Sequence, residues 1–184
     1  MELFIVDVNE AVKYADIELY GKLPSSAGRF LVEHVSRSVY KIEDTEIQVK
    51  NKKPYFVNAD LHFSISHSKD FAAVCFDNQP VGFDLEYKKE RDFEALLKRY
   101  KVPAKDAKNI FYRFWCEYEA KLKLGLPHKS LSTFRLFDEY MCAVASPDER
   151  DIEKELKIFR LRLPAMELEE ISCTEFFEPL NVKV

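Results

Sequence analysis

Two carboxylates separated by one apolar residue, Asp84-Leu85-Glu86, stand in the stretch VGFDLEY. In an extended chain alternate side chains share a face, so both acids point the same way. Two like charges side by side repel. Such a pair is either a solvated strand face or half of a cation site. A third acid, Glu119, lies in a segment of helical period with Trp115 and Lys123 at steps of four. That spacing puts all three on one broad stripe, overlapping an apolar face of Phe111, Trp115, Tyr118 and Leu122. Glu119 and Lys123 can form an exposed pair one turn apart, worth about 0.3–0.5 kcal/mol. Alternatively, Glu119 borders the aromatic face, where a carboxylate needs a partner to offset its desolvation.

Polar chemistry also collects in His62-Phe63-Ser64-Ile65-Ser66-His67-Ser68. Ser64, Ser66 and Ser68 alternate with Phe63, Ile65 and His67, as on a half-buried strand running into a turn. No acidic residue completes a triad-like motif and no G-x-S-x-G elbow exists, so nucleophilic serine catalysis has little support. The Ser-His-Ser run suits donation of hydrogen bonds to an anion such as a phosphate oxygen, or it holds a turn histidine. Asn51-Lys52-Lys53-Pro54 is a basic tip, either a solvated turn or an anion contact. Lys22 and Arg29 are further cationic candidates.

The 184 residues suffice for one domain or two small halves sharing a core, and 47% hydrophobic with 14% aromatic content supplies a packed interior. The net charge of −4 and pI of about 5.7 exclude a global basic field of the kind nucleic acid demands. An anionic ligand must therefore meet a local cluster of Lys and Arg. Cys75, Cys116, Cys142 and Cys173 form no C-x-x-C pair, which argues against zinc and against a disulfide framework. No signal-peptide pattern opens the sequence, so reduced thiols in a cytoplasmic protein are expected. No apolar run approaches the roughly 18–20 residues of a membrane span.

The elements that must position these groups follow from periodicity. MELFIVDV reads as a strand, and LPSSAGRFLVEHVSRSVY as a helix with Ser25 or Ser26 at its N-cap. EIQVKNKKPYF is a short strand broken by a basic turn, and DLHFSISHS alternates as a strand. FAAVCFDNQPVGFDLEY predicts a hairpin turning near Asp77-Asn78-Gln79-Pro80. RDFEALLKRY is a short amphipathic helix. AKDAKNIFYRFWCEYEAKLKLG is a longer one, closed by Gly125 as a C-cap. STFRLF, YMCAVAS and LKIFRLRL return to strands. The class is α+β, with a helix and several strands in each half, 1–80 and 84–184, and Asp84 at the seam.

Taken in order, these motifs resemble the Sfp-type 4′-phosphopantetheinyl transferase superfamily over roughly residues 25–160. The matching residues are Lys53-Pro54, Phe63-Ser64-Ile65-Ser66-His67-Ser68 and Gly82-Phe83-Asp84-Leu85-Glu86. Phe111-Tyr112, Trp115-Cys116-Glu117-Tyr118-Glu119-Ala120-Lys121-Leu122-Lys123 and Gly125 continue the pattern. The resemblance implies transfer of phosphopantetheine from coenzyme A to a serine of an apo acyl or peptidyl carrier protein, in fatty acid or secondary metabolite biosynthesis. Adenosine 3′,5′-bisphosphate is the other product. It further implies a pseudo-dimer of two similar halves with the active site between them, acting as a monomer.

In that frame Asp84, Glu86 and Glu119 hold Mg²⁺, which favours hard oxygen ligands and bridges carboxylates to phosphates. Lys123 reaches a pyrophosphate oxygen. Ser66 and His67 contact the coenzyme near its 3′-phosphate and ribose, and Lys53 adds charge there. Glu119 or a metal-bound water accepts the serine proton. The family usually has Lys where Tyr118 stands. Two other readings use the same residues: a non-catalytic coenzyme A or carrier-binding module, and another Mg-dependent phosphotransferase or phosphodiesterase. The partner implied is a small acidic carrier, met by the basic stretch 88–108 with Lys98, Arg99 and Lys101 as contacts. That stretch could equally be a solvated helix face.

Overall fold

The protein is described from a computed structural model covering residues 1–15, 22–100 and 106–180, without the side chains of Arg99 and Tyr100. Lys101 and the side chain of Arg99, two of the three expected carrier contacts, therefore lie outside the described residues. Strand β1 (Glu2–Asp7) buries Leu3, Phe4, Ile5 and Val6 in succession. Such a run has no solvent face and demands cover on both sides. Asp7 caps the short helix α1 (Val8–Tyr14), its carboxylate accepting from the Asn9 and Glu10 amides at 2.8 and 3.1 Å.

Helix α2 (Leu23–Ser38) follows, then β2 (Ile47–Lys50) and β3 (Lys53–Phe56), a hairpin whose tip residues Asn51 and Lys52 have positive φ. The helix starts earlier than Ser25 or Ser26: Lys22 is the N-cap, without a side-chain bond, and Pro24 sits in the first turn. Proline's fixed φ suits a first turn whose amides have no helical partner. Strands β4 (His62–Ser68) and β5 (Phe71–Asp77) pair antiparallel. Strand β6 (Gly82–Tyr87) leads to α3 (Phe93–Tyr100) and α4 (Ala107–Leu124), and Gly125 closes α4 at φ 70° as expected. Next come β7 (Ser130–Leu136), β8 (Tyr140–Ser146), the short α5 (Ile152–Glu155), β9 (Lys157–Arg162), β10 (Glu167–Ile171) and β11 (Glu175–Phe177).

The strand order is β10-β9-β1-β5-β4 in one sheet and β11-β7-β8-β6 in the other. The hairpin expected across residues 71–87 is thus corrected. After Asp77 the chain leaves the first sheet, and β6 pairs with β8 in the second. A turn signal cannot distinguish a hairpin from a change of sheet, because both reverse the chain with the same residues. Strands β9 and β10 return to the first sheet, with β9 parallel to β1, so the C-terminal segment crosses the seam between halves.

Alternation along each strand builds four layers. Phe4 and Val6 of β1, with Val74 and Phe76 of β5, meet Leu31, Val32 and Val35 of α2. Leu3, Ile5, Ala73 and Cys75 point the other way, against Phe83, Leu85, Phe134, Cys142 and Val144 of the second sheet. Met141, Ala143 and Ala145 of β8 then receive Cys116, Ala120 and Leu124 of α4. The buried face of α4 is therefore the stripe through Tyr112, Cys116, Ala120 and Leu124. Leu122, expected on that face, is exposed. Helix α4 lies so close to β6 that a Cβ on Gly82 would collide with the Ala120 carbonyl and lie 2.6 Å from the Leu124 amide nitrogen.

Two segments share one connectivity. With α1, the β2–β3 hairpin and α3 set aside, β1, α2 and the β4–β5 hairpin come in that order, and the first strand pairs with the hairpin's second. The order β6–α4–β7–β8 repeats this, β6 pairing with β8.

Candidate active site

The two sheets are joined where β4 lies along the free edge of β6. The hydroxyls of Ser64, Ser66 and Ser68 accept from the Phe83, Leu85 and Tyr87 amides at 3.0, 3.2 and 3.0 Å. Residues of alternating register thus satisfy an edge whose N–H groups would otherwise face a neighbouring sheet unpaired. The serine hydroxyls expected to face an anion make these contacts inside the fold. Ser66 donates its proton to Asp84 Oδ1 at 2.8 Å and Ser68 to Glu86 Oε2 at 2.9 Å.

Asp84 and Glu86 are thereby on the α4-facing side of β6, as alternation predicts. Asp84 is only 4% exposed. Lys123 reaches it from α4, Nζ to Oδ1 at 2.7 Å. The cross-element pair is thus made with Asp84, not as the isolated one-turn pair with Glu119. Asp84 Oδ2 is buried and has no hydrogen-bond partner, an arrangement that normally carries a desolvation penalty. Burial, followed by the charge of Asp84, raises the pKa of both Glu86 and Glu119 above the ordinary carboxylate range. Glu86 and Glu119 therefore each feel the charge of Asp84. Even so, no three His, Cys, Asp or Glu side chains among the described residues are grouped as a ready-made ion cage. Lys123 and the two serines hold the carboxylates of β6 in their own directions instead.

Cations cluster on the same side. His67 is exposed, with Nε2 3.3 Å from the Ser25 hydroxyl in the first turn of α2. Partial desolvation of its ring by the surrounding protein, and then the nearby Lys123 charge, pull its pKa down, with Lys22 contributing the same sign. Lys53 is half-buried and donates to the Val81 and Leu124 carbonyls at 3.2 and 3.4 Å. It ties the β2–β3 hairpin to the start of β6 and the end of α4, and burial lowers its pKa. A cleft of about 390 Å³ runs from Lys53 along β3 to Phe63. Arg29 is engaged by Glu33 at 2.9 Å. Tyr118 stacks with Phe114 at 6.2 Å between ring centres, so an aromatic ring fills the position where the resemblance expects a lysine.

In the basic stretch, Lys108 pairs with Glu90, and Lys88 lies 3.5 Å from Asn109 Oδ1. All four cysteines are free, and burial raises the Cys116 and Cys142 thiols well above their usual pKa beside Asp84. Glu117, named above within the matching run, was given no role there. It is buried and accepts from Thr133 Oγ1 at 2.9 Å and from the Leu180 amide at 3.0 Å. Nothing in the local sequence signals that the segment after β11 would come to it.

No protein-family profile matches the chain. Among curated proteins, the 4′-phosphopantetheinyl transferase Sfp of Bacillus subtilis is 31% identical over 140 residues, covering 66% of this chain and 62% of the relative. The 4′-phosphopantetheinyl transferase HetI of Nostoc is 36% identical over 81 residues, covering 37% of this chain and 34% of the relative. A Haemophilus influenzae protein, provisionally given the same transferase name, is 36% identical over 106 residues, 50% of this chain and 45% of the relative. The chain thus spans about half the length of the curated relatives it matches. Over that span it is a sequence relative of the 4′-phosphopantetheinyl transferases, the Sfp type among them.

Proposed function

We propose that the chain transfers the 4′-phosphopantetheine group of coenzyme A to a serine of an apo carrier protein, releasing adenosine 3′,5′-bisphosphate. The observation that carries this reading is Asp84: a buried carboxylate with one oxygen held by Lys123 and Ser66, the other unpartnered, beside two further acids. Hard oxygen donors with a raised demand for positive charge suit Mg²⁺. Asp84, Glu86 and Glu119 would hold the ion, which when bound would neutralise the pyrophosphate charge. The equal connectivity of β1–α2–β4–β5 and β6–α4–β7–β8 supports a pseudo-dimer of two similar halves, 1–80 and 84–184, with the site at their junction.

In the reaction the carrier serine oxygen bonds to the β-phosphorus while the bond to the bisphosphate oxygen breaks. Glu119 takes the serine proton as general base. Lys123 exchanges its contact with Asp84 for a pyrophosphate oxygen. His67 and Lys53 face the coenzyme's 3′-phosphate end, and Ser66 acts there through Asp84. The partner is an acidic carrier, the protein acts as a cytoplasmic monomer, and no helix among the described residues is long and apolar enough to cross a membrane.

The test is incubation with coenzyme A, Mg²⁺ and apo carrier proteins of fatty-acid, polyketide and peptide-synthetase type. Mass spectrometry should register one added phosphopantetheinyl group, lost on adding EDTA and in Asp84→Ala and Glu119→Ala variants that keep their circular dichroism. No mass gain with any carrier sinks the reading. Coenzyme A binding without bisphosphate release would mark a binding module, the reading that the aromatic Tyr118 favours.

A further inference from the structure

The serine ladder between β4 and β6 follows a register rule. Each serine accepts from the amide of one β6 residue, and the side chain of the residue before it can receive the serine's proton. Ser66 meets the Leu85 amide and the Asp84 carboxylate. Ser68 meets the Tyr87 amide and the Glu86 carboxylate. Ser64 meets the Phe83 amide, but the preceding residue is Gly82, which has no side chain, and the hydroxyl turns to the Phe83 carbonyl at 3.5 Å. The three serines thus share one structural task, and only two of them also hold an acid.

Which oxygen they hold is the consequential point. Asp84 Oδ1 carries both Ser66 and Lys123, so Oδ2 is the oxygen left over, buried and without a partner. Glu86 is bound through Oε2, and Ser68 is the donor that holds it. A carboxylate rotates freely about its last bond unless one oxygen is fixed, and groups that fix a ligating carboxylate typically change metal affinity by about 10–100-fold.

We propose that Ser66 and Ser68 are positioning residues that set which oxygen of Asp84 and of Glu86 is presented to a divalent cation. The inference rests on the reading of these acids as cation ligands. It makes the site a product of both halves: the acids come from β6, and their orientation comes from β4 across the seam.

Ser64→Ala supplies the internal control, because it removes the same kind of amide bond without touching an acid. Mn²⁺ and Mg²⁺ binding to the full chain, without coenzyme, would be measured by calorimetry, alongside thermal unfolding. All three alanine variants should lower the melting temperature to a similar degree. Ser66→Ala and Ser68→Ala should weaken cation binding about 10–100-fold. Ser64→Ala should leave it within about twofold, and Ser68→Thr, which keeps the hydroxyl, should restore most of it. Equal weakening in all three variants, or unchanged affinity in Ser66→Ala and Ser68→Ala, overturns the proposal. If Ser66→Ala does not fold, the Ser68→Ala and Ser68→Thr pair decides. A wild-type chain that binds neither cation overturns the cation reading itself, and is told apart by the wild-type titration alone.

Discussion

Strands β1 and β6 hold the same place in two segments of similar element order, yet one presents apolar side chains to its helix and the other presents carboxylates. The helix-facing residues of β1 are Phe4 and Val6, packed on Leu31 and Val35 of α2. The corresponding residues of β6 are Asp84 and Glu86, answered by Lys123 of α4. The free edges differ too. The second edge of β1 is completed by the backbone of β9, whereas the outer edge of β6 is completed by serine hydroxyls. A backbone ladder uses its neighbour's donors and acceptors fully. A hydroxyl that accepts from an amide still has a proton to give, and on β6 that proton goes to a carboxylate. An edge strand closed by side chains thus gains hydrogen-bond donors for its carboxylates that a backbone ladder does not offer.

Exchanging residues between the two strands should expose this difference most strongly. Phe4→Asp places a carboxylate among apolar side chains with no cation in reach, and should cost at least about 4 kcal/mol or prevent folding. Asp84→Leu should change stability by less than about 1.5 kcal/mol, because Lys123 is 30% exposed and can turn to water. Urea unfolding followed by circular dichroism measures both, and equal losses would erase the distinction. An intermediate effect is expected for Lys123→Met, which leaves Asp84 charged and without its ammonium. A loss of about 2 kcal/mol should be largely recovered in the Asp84→Leu/Lys123→Met double variant, the signature of direct coupling. The smallest effect concerns the end of α4: Gly125→Ala forces a side chain into φ 70°, at about 1 kcal/mol. No loss on that change would show that the helix end, and Lys123 with it, tolerates another exit.

The local grammar of the chain was legible wherever one face decided the outcome. The apolar run of β1, the alternation of β4, and α4 with its glycine cap all follow from side-chain period and backbone freedom. Asp84 and Glu86 share a face for the same reason, and Glu119 and Lys123 approach them because a four-residue step returns to one helix face. What went unread depended on partners remote in sequence. The hairpin expected after β5 is a passage between sheets, since the residues of a turn say nothing about which strand lies beyond it. The face of α4 is turned away from Leu122, because Gly82 of β6 draws Ala120 and Leu124 inward. Glu117 is met by the backbone of Leu180, beyond the last strand and about sixty residues later.

The sequence by itself determined which residues could do chemistry and which face of its own element each would occupy. Those properties are fixed by residue type and by periods of 2 and 3.6, which act over a few positions. The tertiary structure alone brings Ser64, Ser66 and Ser68 to a strand edge, and leaves one oxygen of Asp84 held and the other unpartnered. The reason is that unpaired amides on a buried edge must be satisfied. Which hydroxyls satisfy them is settled by the meeting of two sheets, which no local pattern encodes.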